Sequence, residues 1–148
     1  MALDSKTIVK RLYGEVWNKR KLELVSDLFS PSHALRDNNS PGSSVGPEAY
    51  KMQVAMYVAA FPDLRITVED TVAEKDKFVA AWTISGTHKG EIMGIRPTNR
   101  KISVEGITIH YLANGKIIDS SISWDALGLL RQLGVSPILV QQKVAASH

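Results

Sequence analysis

The chain has 148 residues, 44% hydrophobic and 22% charged, the size and balance of one ordinary globular domain, which excludes disorder as its main state. The absence of cysteine removes disulfides, thiolate catalysis and cysteine-held metals, and no stretch approaches the roughly 20 apolar residues of a membrane helix. Eighteen Lys and Arg are interspersed with 15 Asp and Glu for a net charge of +3, so no basic stripe offers itself to nucleic acid.

Ile8, Val9, Leu12, Tyr13, Val16 and Trp17 form an apolar stripe of helical period, which predicts a helix over 5–18 with Asp4 or Ser5 as its N-cap. Lys19-Arg20-Lys21 then sits where cations complement a helix C-terminus. Leu22, Val25, Leu28 and Phe29 predict a shorter second helix, stopped near Pro31. Residues 30–47, rich in Ser, Asn, Pro and Gly, read as a long loop of the kind that forms lids or binding segments. Pro47 suits the first turn of a third helix, which carries Tyr50, Val54, Tyr57, Val58 and Phe61 and ends at Pro62.

From Leu64 the period changes to two, predicting a strand at Leu64–Glu69 and others at Phe78–Thr87, Lys101–Leu112 and Lys116 to about Asp125. Asn114-Gly115 is a strong hairpin turn signal. A short terminal helix at Gly128–Gly134 and a tail at 135–148 complete the chain, and helices followed by antiparallel strands give an α+β architecture. The expectation is a single domain over 1–148 with its core at about 5–134. Met1–Ser5 lacks the basic start and apolar run of an export signal, so a cytoplasmic location is expected.

An uninterrupted hairpin about Asn114-Gly115 sets His110 opposite Asp119, Thr108 opposite Ser121, Gly106 opposite Ser123 and Val104 opposite Asp125. Directly opposed side chains share a face. His110, Asp119, Thr108, Ser121, Ser123 and Asp125 would then form a polar face, either wet or lining a hydrophilic cavity. Ile107, Ile109, Tyr111, Ile118, Ile122 and Trp124 would form the apolar one. A single β-bulge would reverse everything beyond it.

His33, His88, His110 and His148 share no metal-ligand spacing, so no metal site is expected. No dinucleotide fingerprint or phosphate-binding loop occurs, which leaves nucleotide cofactors without support, and the Gly-x-Ser-x-Gly string at Gly42–Gly46 falls in the Ser-rich loop rather than at a strand-to-helix elbow. Arg36, Asp37, His88, His110, Asp119 and Asp125 are the groups available for acid–base work. Arg36 suits an enolate or carboxylate because its guanidinium is forked and permanently charged, and Asp125 is the candidate base.

Several strings together resemble the SnoaL-like polyketide cyclases of the nuclear transport factor 2-like superfamily. They are Tyr13–Asn18, Gly46-Pro47-Glu48, Phe61–Leu64, Gly86–Ile95 and Trp124–Leu130, and the match covers roughly Thr7 to Gly134. The resemblance implies a cone of N-terminal helices packed on a curved, mainly antiparallel sheet around a pocket, assembled as a homodimer or homotetramer. It also implies ring closure of polyketides by general acid–base chemistry, without metal or organic cofactor. The family's acid–base pair falls at Thr108 and Ile122 and its loop histidine at Arg36, so all three positions have changed type.

The reading is a cofactor-independent cyclase or isomerase acting on a small, mostly apolar, carbonyl-bearing, polyketide-like metabolite. A non-catalytic small-molecule-binding protein and an oligomerising module of the same fold are the alternatives. Asp125, Arg36, His110 and His88 are the candidate catalytic residues. Tyr13, Trp17, Tyr57, Trp82, Thr108, Ile122 and Trp124 are the candidate substrate-binding residues.

Overall fold

The computed structural model describes residues 4–40 and 42–135. The tail expected at 135–148, with His148, lies outside the described residues except for Val135. Asp4 accepts the Thr7 backbone N–H at 2.8 Å and so caps α1 (Ser5–Val9). This helix runs directly into a π-helical segment, Lys10–Trp17, whose wider turn is seen in the bond from Asn18 N–H to the Tyr13 carbonyl, 3.2 Å. The segment buries Leu12, Tyr13, Val16 and Trp17 along one side.

The segment's end is tied to the sheet. The Asn18 side-chain amide donates to Ile66 O (2.9 Å) and accepts from Ile66 N (2.8 Å), as a neighbouring strand would. Arg20, in the left-handed region at φ 63°, donates to the carbonyls of Trp17, Pro62 and Leu64. After a short 3-10 turn, Leu22–Leu24, come α2 (Val25–Leu28) and β1 (Phe29–Asp37). The expected long loop is therefore largely strand: β1 and the short β2 (Ser43–Val45) occupy it, and Pro31 lies within β1 rather than past a helix end. Next comes α3 (Pro47–Ala60), then β3 (Arg65–Glu74), β4 (Lys77–Thr87), β5 (Lys101–Ala113), β6 (Lys116–Trp124) and α4 (Ala126–Gln132).

The six strands form one sheet in the order β2-β1-β6-β5-β4-β3. All neighbouring pairs are antiparallel except β1 with β6, which run parallel. The inner face is read from the burial alternation of β5, where Ile102, Val104, Gly106, Thr108 and His110 are buried and Ile107 is exposed. Phe78, Ala80 and Trp82 of β4 continue that face. The helices supply Ile8, Leu12, Val16, Tyr50, Val54 and Leu129 to the same core.

The turn residues Asn114 and Gly115 have φ values of 53° and 74°, as a type I′ hairpin requires. The register beyond the turn differs from the uninterrupted expectation. Ala113 opposes Lys116 and Leu112 opposes Ile117, but Tyr111 then opposes Asp119, leaving Ile118 as an extra residue in β6. This bulge puts Ser120 opposite His110, Ile122 opposite Thr108 and Trp124 opposite Gly106. The expected polar face is thereby corrected: Ser120, Ile122 and Trp124 join the inner side, while Asp119, Ser121 and Ser123 turn to the outer side with Ile107 and Ile109.

Gly106 lies across from Trp82, and a Cβ built on it would sit 2.3 Å from the indole ring. The missing side chain is what lets Trp82 lie flat against β5. Gly106→Ala should cost about 1–3 kcal/mol of stability through this overpacking, measured by urea denaturation. A neutral result would show that the Trp82 ring can move aside.

Candidate active site

The inner face of the sheet and the helices enclose a narrow cavity with a free volume of about 60 Å³. Its wall is aromatic, with Tyr13, Trp17, Tyr50, Tyr57, Phe61, Trp82 and Trp124, and is completed mainly by aliphatic side chains including Ile66, Ile84, Ile102, Val104, Ile122 and Leu129. All seven expected substrate-binding residues line it. A wider hollow adjoins it through the shared wall residues Leu35, Gln53 and Tyr57, and carries Asp37, Ser40, Ser43, Ser44, Met52 and Met56 at the mouth between β1 and α3.

Two hydroxyls in the cavity are prepared by tryptophans. Trp82 Nε1–H donates to Thr108 Oγ1 at 2.9 Å, and Trp17 Nε1–H donates to the Tyr50 hydroxyl oxygen at 3.0 Å. Each indole occupies an oxygen lone pair and leaves the hydroxyl proton free to point elsewhere. Burial raises Tyr13 well above the ordinary phenol range, and burial likewise raises Tyr50. Burial, with the Asp37 carboxylate nearby, pushes Tyr57 up to about 12. All three are neutral donors at physiological pH.

The expected catalytic residues are not gathered in this cavity. Asp125 is exposed and accepts the Gly128 backbone N–H at 2.8 Å, capping α4. Arg36 is exposed and donates to Asp119 at 2.8 Å and to Ser121 at 3.4 Å, with all three residues on the outer side of the sheet. His88 is fully buried beyond the cavity wall, stacked on Phe61 with ring centroids 5.6 Å apart. Its Nδ1 accepts the Thr98 backbone N–H at 3.1 Å, and its backbone pairs with Arg100 and Asn99, so it fastens the 88–100 connection. Asp37 stands at the mouth and is held by Trp124 Nε1–H (2.9 Å) and Asn39 N–H (2.8 Å). No carboxylate lines the inner cavity among the described residues, and no group of three potential metal ligands occurs among them.

Of the four, only His110 makes a side-chain hydrogen bond to a cavity residue, and it does so from beneath. Its Nε2 lies 2.9 Å from the Tyr13 hydroxyl and its Nδ1 lies 2.7 Å from Ser120 Oγ. Ser120 Oγ is in turn 2.9 Å from Nε2 of His33, on β1. Tyr13, His110, Ser120 and His33 are 4%, 1%, 0% and 1% exposed, so solvent has almost no part in the chain. Burial depresses His110 to about 3, with the neighbouring His33 adding to the effect. Burial depresses His33 to about 4, against a partial upward pull from Asp119. Sequence reasoning missed His33 and Ser120, because the first lay in an apparent loop and the second on an apparent outer face.

Because both histidines are buried neutral, the unfolded chain takes up protons below about pH 6.5 that the folded chain refuses. Their contribution is therefore neutral above that value and increasingly destabilising below it. It levels off only near the folded values of about 4 and about 3. Urea denaturation in steps from about pH 7 to about pH 4.5 should show a loss approaching about 1.4 kcal/mol per pH unit for each histidine. His33→Gln should remove about half of this slope; an unchanged slope would refute the assignment. Asp125→Ala should cost about 1 kcal/mol through the lost cap and leave cavity binding intact, as checked by denaturation and by tryptophan fluorescence titration.

The sequence profile of the SnoaL-like polyketide cyclase family matches residues 7–133. The chain is 29% identical over 119 residues to the nogalonic acid methyl ester cyclase of Streptomyces nogalater, covering 80% of this chain and 89% of that protein. It is 31% identical over 121 residues to the aklanonic acid methyl ester cyclase AcmA of Streptomyces galilaeus, covering 81% and 84% respectively. Among solved structures, TsrD from Streptomyces laurentii superposes with a TM-score of 0.80 at 28% identity, over 90% of this chain and 99% of that one. With the profile spanning most of the chain and the fold matching over 90% of it, this protein belongs to the SnoaL-like polyketide cyclase family.

Proposed function

We propose that the protein is a cofactor-independent cyclase whose substrate is a small, mostly apolar, carbonyl-bearing, polyketide-like metabolite. The observation that carries this reading is a set of neutral hydroxyl groups, two of them primed by indole N–H donors, converging in an aromatic cavity. Flat, conjugated carbon skeletons suit such walls, since aromatic faces and edges pack against one another at little entropic cost. The Thr108 hydroxyl, polarised by Trp82, donates to the carbonyl oxygen that becomes an enolate. Tyr13 faces the carbon that loses its proton. Preorganised donors in a dry site are worth more than the same groups in water.

The family's acid–base positions, occupied here by Thr108 and Ile122, oppose one another across β5 and β6 and both line the cavity. With isoleucine at one of them, no carboxylate stands ready to take a proton from an ordinary ketone. The substrate that fits is one whose C–H is already acidified by two flanking carbonyl groups. Such a carbon needs only a weak base and good stabilisation of the enolate. Ring closure then adds the enolate carbon to a second carbonyl, and the resulting alkoxide recovers the proton.

The missing carboxylate also favours a second reading, a non-catalytic carrier of the same kind of molecule. A panel of aromatic β-keto methyl esters separates the two. Binding is followed by quenching of the cavity tryptophans, and products are followed by mass spectrometry. A cyclase gives a dehydrated or isomeric cyclic product, and Tyr13→Phe lowers kcat by about 10²-fold or more with little change in affinity. Saturable binding without product would instead establish the carrier. In that case Thr108→His with Ile122→Asp should create turnover from none.

The same reading takes residues 1–148 as one domain, with its core at about 5–134, working in the cytoplasm and assembled as a homodimer or homotetramer. Ile107 and Ile118 on the outer sheet face are 51% and 38% exposed and supply an apolar contact for a second copy. Sedimentation of Ile107→Lys against the parent protein should show dissociation; an unchanged oligomer would exclude this face.

A further inference from the structure

The four buried groups behind the cavity join four separate parts of the fold: the π-helical segment, β5, β6 and β1. Tyr13 Oη, His110, Ser120 Oγ and His33 follow one another at 2.9, 2.7 and 2.9 Å. Each hydroxyl both donates and accepts, and each neutral imidazole has one nitrogen of each kind. The whole chain therefore has two equivalent senses. In one, Tyr13 donates to His110, His110 to Ser120 and Ser120 to His33. In the other, every bond is reversed.

The far end carries a counter-charge. Asp119 of β6 immediately precedes Ser120, exerts an upward pull on the His33 titration, and is ion-paired with Arg36 through Oδ2 at 2.8 Å. The other carboxylate oxygen, Oδ1, is buried without a hydrogen-bond partner. Tyr50 of α3 and Phe29 pack on the His33 ring, with centroids 6.3 and 4.5 Å away, and neither brings a charge. A buried acceptor left open is costly unless something uses it. Protonating His33 would place a cation within the favourable field of this carboxylate, whereas protonating His110 would place one among Phe78, Tyr13 and neutral groups.

We propose that Tyr13, His110, Ser120 and His33 form a proton relay in which His33 stores the substrate's proton during ring closure. The inference rests on the reading of Tyr13 as the group facing the reacting carbon. In the forward step the substrate C–H bond breaks and its proton goes to Tyr13 Oη. The Tyr13 hydroxyl proton passes to His110 Nε2, the His110 Nδ1 proton to Ser120 Oγ, and the Ser120 hydroxyl proton to His33 Nε2. The result is an enolate in the cavity and an imidazolium at His33, with Tyr13, His110 and Ser120 still neutral. After the carbon–carbon bond forms, the alkoxide takes the Tyr13 proton and each transfer runs backwards. No proton is gained or lost in the cycle. His110, Ser120 and His33 are positioning residues here, since only Tyr13 meets the substrate.

Ser120 does not line the cavity, so its substitution tests the relay without altering the binding wall. Assayed on the β-keto ester that the parent protein turns over, Ser120→Ala should lower kcat about 10-fold or more with KM unchanged, and Ser120→Thr should restore it. Asp119→Asn, on the outer side, should lower kcat several-fold. It should also move the His33 titration, followed by nitrogen-15 NMR of the imidazole, to lower pH. Parent-like kcat in both Ser120→Ala and Asp119→Asn, with Tyr13→Phe inactive, would overturn the relay and leave the cyclase reading in place. Tight binding with no product in the parent protein would overturn both.

Discussion

Strand β6 contains one residue more than its partner needs, and the chemistry of the cavity follows from where that residue falls. Because successive side chains alternate between faces, adding Ile118 between two ladder pairs reverses every residue that follows it. Without it, Asp119 would oppose His110 from inside, and Ile122 and Trp124 would face outward. The cavity would be acidic and wet, with a tryptophan exposed on the outside. With it, Ser120 reaches His110, Ile122 and Trp124 complete an apolar wall, and Asp119 is free to pair with Arg36.

The second dependency is between β1 and β6. Their parallel pairing aligns Ala34 with Asp119 and Leu35 with Ser120, which brings His33 to the end of the buried chain. Every link of that chain is made, as a polar network in a low-dielectric core must be if it is not to weaken the fold. The arrangement fixes neutral groups in position instead of charged ones. It favours chemistry in which charge is created only when the substrate reacts, and in which the site needs little reorganisation to meet it.

Local signals in the sequence were readable where local physics decides the structure. Helical period found α1 with its π-helical continuation and α3, alternation found β3 to β6, and Asn114-Gly115 found the hairpin. The cavity aromatics followed from the same patterns and from the family resemblance. β1 was hidden because Ser30, Pro31 and Ser32 have the composition of a loop, and the partner that makes them a strand lies more than 80 residues later. The Ile118 bulge has no marker of its own: an isoleucine in an apolar strand looks the same whether paired or extra. From these two nonlocal facts came the misplacement of Asp119 and the omission of His33 and Ser120. Asp125 was misread for a simpler reason, since an aspartate that caps a helix and one that acts as a base cannot be told apart without their neighbours.

The Asn18 amide has an implication for how copies of this protein can meet. β3 is an edge of the sheet, and an edge with open amides and carbonyls invites another chain to add a strand. At Ile66 both backbone groups are already taken, by one side chain that closes a two-bond ring like that of a true strand partner. The neighbouring strand terminus is further occupied by Arg20 at Pro62 and Leu64. An intruding strand would first have to displace both side chains, and with them the end of the helix that carries Tyr13 and Trp17 into the cavity. Resistance to edge-to-edge aggregation and the shape of the binding wall are thus maintained by the same few atoms.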